Sequence, residues 1–503
     1  MPLAFFTAVY FDGFPSWFPD PFRLLKATTA LTALGITKWY SSGRSNPSER
    51  NMHGRVVLIT GGTSGIGAST AFELARRGAQ VVLLTRQPAS DPFLAEFIDD
   101  LRARTGNQMI YAEQVDLADL YSVRQFATRW IDNTPPRRLD MLVLCAATVL
   151  PPGSERKETP EGVEALWMVN FLANFHLLGI LSPAIRAQPF DRDVRIVIPT
   201  CSSYIAAPKL DAELDGLGTK GWLDEEWAPA RAYARSKFAL MVFAKAYQKH
   251  LDAYKRPDEL PMNARVVLVD PGLARTPGTR RWITRGSLWG LLLYLVFYLV
   301  VWVFLKSPHM AAQSVLYALM DGGLGRGAGG RLIKECMEVD CARKDVDDEE
   351  VAKKLWETSD KLIERVEKEQ AVKRARAKKE QEKREEEAKN KARVEEIESL
   401  IGSIKQGKAK AKGGEAKKGE AQQAEANEAS KKGKKKGKAG GNNAKYQHNN
   451  HHQQYHDASH RHPVFFTDKL RRPPFSVAPL GAQTSPVAQG YVYQDGVRSG
   501  SRL

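Results

Sequence analysis

Tyr233 and Lys237 stand four positions apart in Tyr233-Ala-Arg-Ser-Lys237. On a helix that spacing brings both side chains to one face. A phenol can hand a proton to a carbonyl oxygen as hydride reaches the carbon. With an ordinary pKa of about 10 it exchanges that proton poorly near neutrality. An ammonium beside it stabilises the phenolate and lowers that pKa. The pair is therefore a candidate acid/base couple for interconverting a carbonyl and an alcohol.

Hydride chemistry needs a carrier, and a second cluster could hold one. Thr60-Gly61-Gly62-Thr63-Ser64-Gly65-Ile66-Gly67 follows a short apolar strand and opens a helix. A pyrophosphate needs backbone N–H groups at a helix N-terminus, and glycine lets backbone and phosphate approach without a Cβ. At the end of the next strand an Asp or Glu would bind a ribose and signal NAD. This chain has Thr85-Arg86 there. A cation suits a 2′-phosphate, so NADP(H) is the expected cofactor. Asp116, with Leu117 beside it, follows the third strand and stands where an adenine ring would lie.

These groups need a frame to position them. Strands are expected at Val56–Thr60, Val81–Thr85, Met109–Val115, Met141–Leu144, Val194–Thr200 and Ala264–Val269. Helices are expected at Gly65–Arg77, Phe93–Thr105, Leu120–Ile131, Gly162–Leu181 and Ala232–His250. Strands alternating with helices imply an α/β fold with a parallel sheet covered on both faces.

Across about Arg55–Lys344 the chain resembles the short-chain dehydrogenase/reductase family. The likeness rests on the TGxxxGxG loop, the YxxxK pair and Asp270-Pro271-Gly272 with Thr276. It implies a Rossmann-like doubly wound sheet. It further implies that Thr60, Gly61, Thr63, Ser64, Gly65, Ile66 and Gly67 line the cofactor, and that Pro271, Gly272 and Thr276 hold its nicotinamide and phosphate. Asn170, in Val169-Asn170-Phe171-Leu172, matches the asparagine that supports a proton-relay water and the lysine. Two departures stand out. Leu144-Cys145-Ala146-Ala147 replaces Asn-Asn-Ala-Gly, so only the backbone of Cys145, Ala146 and Ala147 is left to bind ribose. The family's serine falls in Pro199-Thr200-Cys201-Ser202-Ser203. Matching the Ser-Ser pair selects Ser203, whereas counting from the strand start favours Cys201 or Ser202; a cysteine would hydrogen-bond a substrate oxygen poorly, so Ser203 and then Ser202 are the expected catalytic serines.

Residues 286–305 carry no charge and lie between Arg285 and Lys306. As one helix they would be about 30 Å long, enough to cross a bilayer. A crossing would put the helix 310–320 and strand 331–338 on the far side and leave the sheet incomplete. An in-plane apolar helix inserted in the catalytic domain is therefore expected, with a span or burial against protein as alternatives. The aromatic-rich residues 1–50 lack the order of a secretory signal and suit a membrane interface. Within them 24–40 reads as a helix. Lys306-Ser307-Pro308, Gln313-Ser314-Val315-Leu316 and Leu355-Trp356-Glu-Thr-Ser359 resemble the retinol dehydrogenase branch. That likeness implies a lipophilic alcohol, aldehyde or ketone as substrate, such as a retinoid or fatty aldehyde.

The net charge is +16. Residues 371–440 hold 22 Lys/Arg against 12 Asp/Glu, so the tail carries +10 of it. Nucleic acid is thus not expected as a partner of the core and stays open for the tail. The expected organisation is an N-terminal segment at 1–50, a catalytic domain at 51–345, a charged helical extension at 346–400 and a disordered basic tail at 401–503. Cys145, Cys201, Cys336 and Cys341 show no zinc-site spacing, and no metal is expected. A membrane or lipid monolayer is the expected partner, at the cytosolic face of the endoplasmic reticulum or a lipid droplet. A homodimer is compatible with the sequence. The competing function is a cofactor-binding scaffold whose basic tail recruits partners.

Overall fold

The computed structural model describes residues 10–11, 20–210 and 227–425. Eight strands form one sheet: β1 (Val56–Thr60), β2 (Gln80–Thr85), β3 (Ile110–Gln114), β4 (Met141–Leu144), β5 (Val194–Pro199), β6 (Ala264–Asp270), β7 (Arg331–Lys334) and β8 (Met337–Val339). Their order is β3-β2-β1-β4-β5-β6-β7-β8, parallel throughout except for the antiparallel edge pair β7–β8. Every residue of β1, β4 and β5 is buried. Continuous Val/Ile/Leu runs are what a parallel sheet covered on both faces requires. Each such side chain contributes about 1.5–3 kcal/mol by leaving water.

Two apolar cores lie on the two faces. One joins Ala71, Leu74, Leu101, Val315 and Leu319 from helices Gly65–Arg76, Pro92–Thr105 and Pro308–Met320. The other joins Phe126, Trp167, Phe175 and Phe243 from helices Leu120–Ile131, Ala165–Arg186 and Pro229–Asp252. Helix Ala165–Arg186 is apolar and long enough to cross a membrane, but it is mostly buried in this second core. Strand order reverses between β1 and β4, the switch point where open α/β sheets bind ligands beyond the strands' carboxyl ends.

The expected apolar helix is two shorter ones. Leu288–Val296 and Tyr298–Phe304 are separated at Phe297, whose φ and ψ of −93° and 18° leave the helical range. Both ends of the excursion return to one point. Ala274 and Lys306 pair in a parallel bridge, with Arg275 N donating to Lys306 O at 2.9 Å and Lys306 N to Leu273 O at 3.0 Å. A single crossing would separate those ends by about 30 Å. Of residues 286–305 only Val303 is buried.

Helix Glu349–Glu425 begins by packing on the second core, where Trp356 meets Phe175 at 5.3 Å and Phe243 at 5.5 Å between ring centroids. Its helical conformation passes the boundary expected at 400, in line with its many Ala, Glu, Lys and Gln residues. The chain divides at Leu400 into two units. The basic run 431–438 and the His/Gln/Asn stretch at 447–462 lie outside the described residues, as do Phe5, Phe6, Phe14, Trp17 and Phe18.

Candidate active site

The glycine loop closes the C-terminal end of β1. Gly61 and Gly65 have φ of 65° and 57°, a left-handed backbone that glycine adopts without a Cβ penalty. A Cβ on Gly67 would stand 2.2 Å from Gly61 O, so the helix start can press on the turn only with glycine there. Ser64 is the N-cap of helix Gly65–Arg76, yet its side chain makes no capping bond. The first-turn N–H groups are thus left to a ligand, which is what a pyrophosphate requires. Thr60 Oγ1 accepts from Ala146 N at 3.1 Å and ties β1 to the segment after β4. This bond fixes the Cys145–Ala147 backbone without the family's asparagines. Thr63 and Ile66 complete the loop, partly exposed.

Other residues expected to contact the cofactor follow the carboxyl ends of β2, β3 and β6. Thr276 approaches the loop so closely that a Cβ on Gly65 would lie 3.2 Å from its methyl group. Its hydroxyl accepts from Thr279 N at 3.2 Å and so caps the next helix. Gly272 has φ of 74°, and Gly272 N donates to Asp270 Oδ1 at 3.0 Å after Pro271 turns the chain. Arg86 is exposed just past β2, with its backbone oxygen accepting from Gln114 Nε2 at 3.3 Å. Asp116 Oδ1 accepts from Ala118 N at 2.9 Å, and Leu117 beside it is buried. The bare helix N-terminus and the glycine packing fit the pyrophosphate of a nicotinamide dinucleotide.

Tyr233 and Lys237 share one face of helix Pro229–Asp252. Lys237 is 4% exposed, and its Nζ lies 6.0 Å from the centre of the Tyr233 ring. Nζ donates to Pro199 O at 3.2 Å, which fixes the ammonium behind the phenol. Burial pushes the Tyr233 hydroxyl well above its ordinary range, with neighbouring Cys201 adding to the shift. Burial lowers the Lys237 ammonium, and Cys201 and Cys145 partly offset that. Burial also pushes the Cys145 thiol up to about 12, so it remains a neutral thiol.

The chain after β5 decides which side chain meets Tyr233, and it is Cys201. Cys201 Sγ donates to Tyr233 Oη at 3.7 Å. Ser203 Oγ stands behind it, 2.7 Å from Sγ. Ser202 Oγ points elsewhere, donating to Asp270 Oδ2 at 2.5 Å and accepting from Lys334 Nζ at 3.3 Å. The expectation that one of the two serines faces the tyrosine therefore differs from the structure. Cys201 is extended, with φ −159° and ψ 158°, and Ser202 starts a tight turn. Adjacent side chains alternate sides on extended backbone, which sends Cys201 inward and Ser202 away.

Asn170 lies in a π-helical turn, Met168–Leu172, inside helix Ala165–Arg186. Such turns insert a residue and redirect side chains. Asn170 Oδ1 accepts from Thr148 N at 2.8 Å, and Nδ2 donates to Thr148 O at 3.0 Å and to Ser236 Oγ at 3.1 Å. Its amide thus clamps the segment after β4 to the residue preceding Lys237. Sequence reasoning missed the buried pair between Glu164, the N-cap of that helix, and Arg235, at 3.3 Å. Two single charges 71 positions apart leave no local signature.

A family model described as short chain dehydrogenase matches residues 55–204. An uncharacterised oxidoreductase of Schizosaccharomyces pombe is 42% identical over 354 residues, covering 70% of this chain and 93% of that protein. An uncharacterised oxidoreductase of Saccharomyces cerevisiae is 34% identical over 416 residues, covering 79% of this chain and all of that protein. Retinol dehydrogenase 13 of Mus musculus is 30% identical over 344 residues, covering 68% of this chain and 94% of that protein. With the glycine loop, the Tyr233–Lys237 face and the reversed strand order, these matches show that the chain belongs to the short-chain dehydrogenase/reductase family, oxidoreductases of alcohols and carbonyls that bind a nicotinamide cofactor.

Proposed function

We propose that this chain interconverts a lipophilic alcohol and its aldehyde or ketone with NADP(H) at a membrane surface. The observation that carries the chemistry is Tyr233 held between Lys237 and Cys201 beside the glycine loop. When bound, the nicotinamide cofactor supplies or accepts the hydride. Tyr233 holds the proton at Oη and gives it to the carbonyl oxygen in reduction. In oxidation the phenolate takes the alcohol proton, with the Lys237 ammonium stabilising its charge. Cys201 is placed to offer its thiol hydrogen to the same oxygen, and Ser203 orients the sulfur. Asn170 holds the backbone of Thr148 and the Tyr–Lys helix in register. Arg86 supports the choice of NADP(H), because a guanidinium matches the 2′-phosphate.

A lipophilic substrate and a membrane site are supported by the excursion at 286–305. It projects from the segment that follows Pro271-Gly272, so lipid bound there would lie next to the nicotinamide end of the site. The cytosolic face of the endoplasmic reticulum or a lipid droplet suits it, since a droplet monolayer accepts an in-plane apolar segment. Similarity to a retinol dehydrogenase favours the same substrate class. One observation favours a second reading, a catalytically weak cofactor-binding scaffold. A thiol replaces the family's serine, and thiols are weak hydrogen-bond donors. NADPH and NADH consumption over a panel of retinoids, long-chain aldehydes and lipid ketones separates the two. Turnover with NADPH is expected; tight NADPH binding with no turnover across the panel would leave the scaffold.

A further inference from the structure

We infer that the apolar excursion and the N-terminal helix form one face that recognises a membrane surface bearing anionic phospholipid. The inference rests on the membrane placement proposed above and assigns its chemistry. Helix Pro21–Ser42 packs along Tyr298–Phe304, and Lys38 fastens the two by donating to Trp302 O at 2.8 Å with its Nζ 4.9 Å from the Trp302 ring centre. The two segments expose Phe22, Leu25, Trp39, Trp289, Leu295 and Phe297 among others. An exposed apolar surface of this extent marks a partner or a lipid phase.

Charge decides between those partners. The sequence has no Asp or Glu between Asp20 and Glu49, and none between Asp270 and Asp321. The same two stretches hold Arg23, Lys26, Lys38 and Arg44, and Arg275, Arg280, Arg281, Arg285 and Lys306. Arg280, Arg281 and Arg285 are exposed, and no carboxylate among the described residues pairs with them. Lys38 sits close enough to Arg275 for the like charge to lower its pKa, after burial. A two-fold dimer through this face would bring two cationic rims together, with no acid from residues 21–48 or 271–320 to separate them. A lipid surface supplies both an apolar phase for the side chains at 288–304 and negative headgroups for the rim. Basic residues near such a surface each contribute about 1 kcal/mol.

The test is flotation of the full-length protein with phosphatidylcholine vesicles, with and without phosphatidylserine, beside the variant Arg280→Gln/Arg281→Gln/Arg285→Gln. The tail is kept in both, and retained NADPH binding shows that the variant is folded. Wild type is expected to bind the phosphatidylserine vesicles more tightly, and the variant to lose about 100-fold of that partitioning. Equal binding to both vesicle types refutes the anionic preference while the membrane reading stands. Undiminished phosphatidylserine binding by the variant gives the role to the basic tail and also refutes it. Failure of wild type to bind either vesicle, with light scattering showing a dimer, removes the membrane placement itself.

Discussion

Cys201 Sγ lies 3.7 Å from the hydroxyl of Tyr233 and 2.7 Å from Ser203 Oγ. The thiol is thus in hydrogen-bond contact with the Tyr233 hydroxyl, and we propose it as the second group that meets a substrate oxygen held by Tyr233. Cys201→Ala should lower kcat by at least tenfold with NADPH affinity unchanged, since removing one hydrogen-bond donor to a reacting oxygen costs up to about 100- to 1000-fold. Cys201→Ser should keep or raise kcat, because a hydroxyl is the better donor. Ser202→Ala should leave kcat near wild type. Steady-state kinetics on the purified full chain checks all three; a silent Cys201→Ala beside an inactive Ser203→Ala would transfer the role to Ser203.

Arg86 should set cofactor choice. It is exposed at the end of β2, and a charged hydrogen bond to a 2′-phosphate is worth about 1.5–3 kcal/mol. Arg86→Ala should therefore raise KM for NADPH about ten- to hundredfold and leave KM for NADH unchanged. Equal losses with both cofactors would show that the arginine does not read the 2′-phosphate.

The two reaction directions should differ in pH response. Burial raises the Tyr233 pKa above its ordinary value of about 10, which favours the neutral phenol. Reduction uses the phenol, so its rate should stay flat from neutral into alkaline solution. Oxidation uses the phenolate, so its rate should climb with pH, about tenfold per unit below that pKa. A reduction rate that falls between pH 7 and 9, roughly three to one units below an ordinary tyrosine pKa, would contradict this sign.

The buried Glu164–Arg235 pair ties together the two helices that carry Asn170 and Tyr233. Glu164 accepts from Leu166 N at 2.8 Å, Trp167 N at 3.2 Å and Arg235 at 3.3 Å, and both residues are buried. Removing one partner strands the other charge, at a cost of about 3–5 kcal/mol. Arg235→Met should lose that much in urea unfolding, and Glu164→Gln/Arg235→Met should recover part of it. A loss under roughly 0.5 kcal/mol, the range of ordinary surface changes, would show the pair to be dispensable.

Local signals were readable because they are short and contiguous. The glycine loop, Arg86 and the Tyr233–Lys237 spacing are each read from a few consecutive residues, and the structure puts the first at the end of β1, the second just past β2 and the third on one helix. The strand–helix alternation likewise follows from apolar runs buried on both faces. The side chain facing Tyr233 was not readable, because Cys201, Ser202 and Ser203 differ only in which side of the chain they leave. That choice is made where extended backbone at Cys201 gives way to the turn at Ser202. The excursion's shape was hidden for a related reason. Hydropathy reads 286–305 as one helix, while the break at Phe297 and the bridge between Ala274 and Lys306 are set by tertiary structure.

The most direct measurement is NADPH binding and turnover side by side for wild type and Tyr233→Phe, with a long-chain aldehyde or retinoid that wild type reduces. The phenyl ring keeps the packing and removes only the hydroxyl that carries the proton. Cofactor affinity should stay within about twofold, and kcat should fall by about 100-fold or more, the usual worth of a positioned acid. Turnover close to wild type, with cofactor affinity intact, would contradict the assignment of Tyr233 as the proton donor.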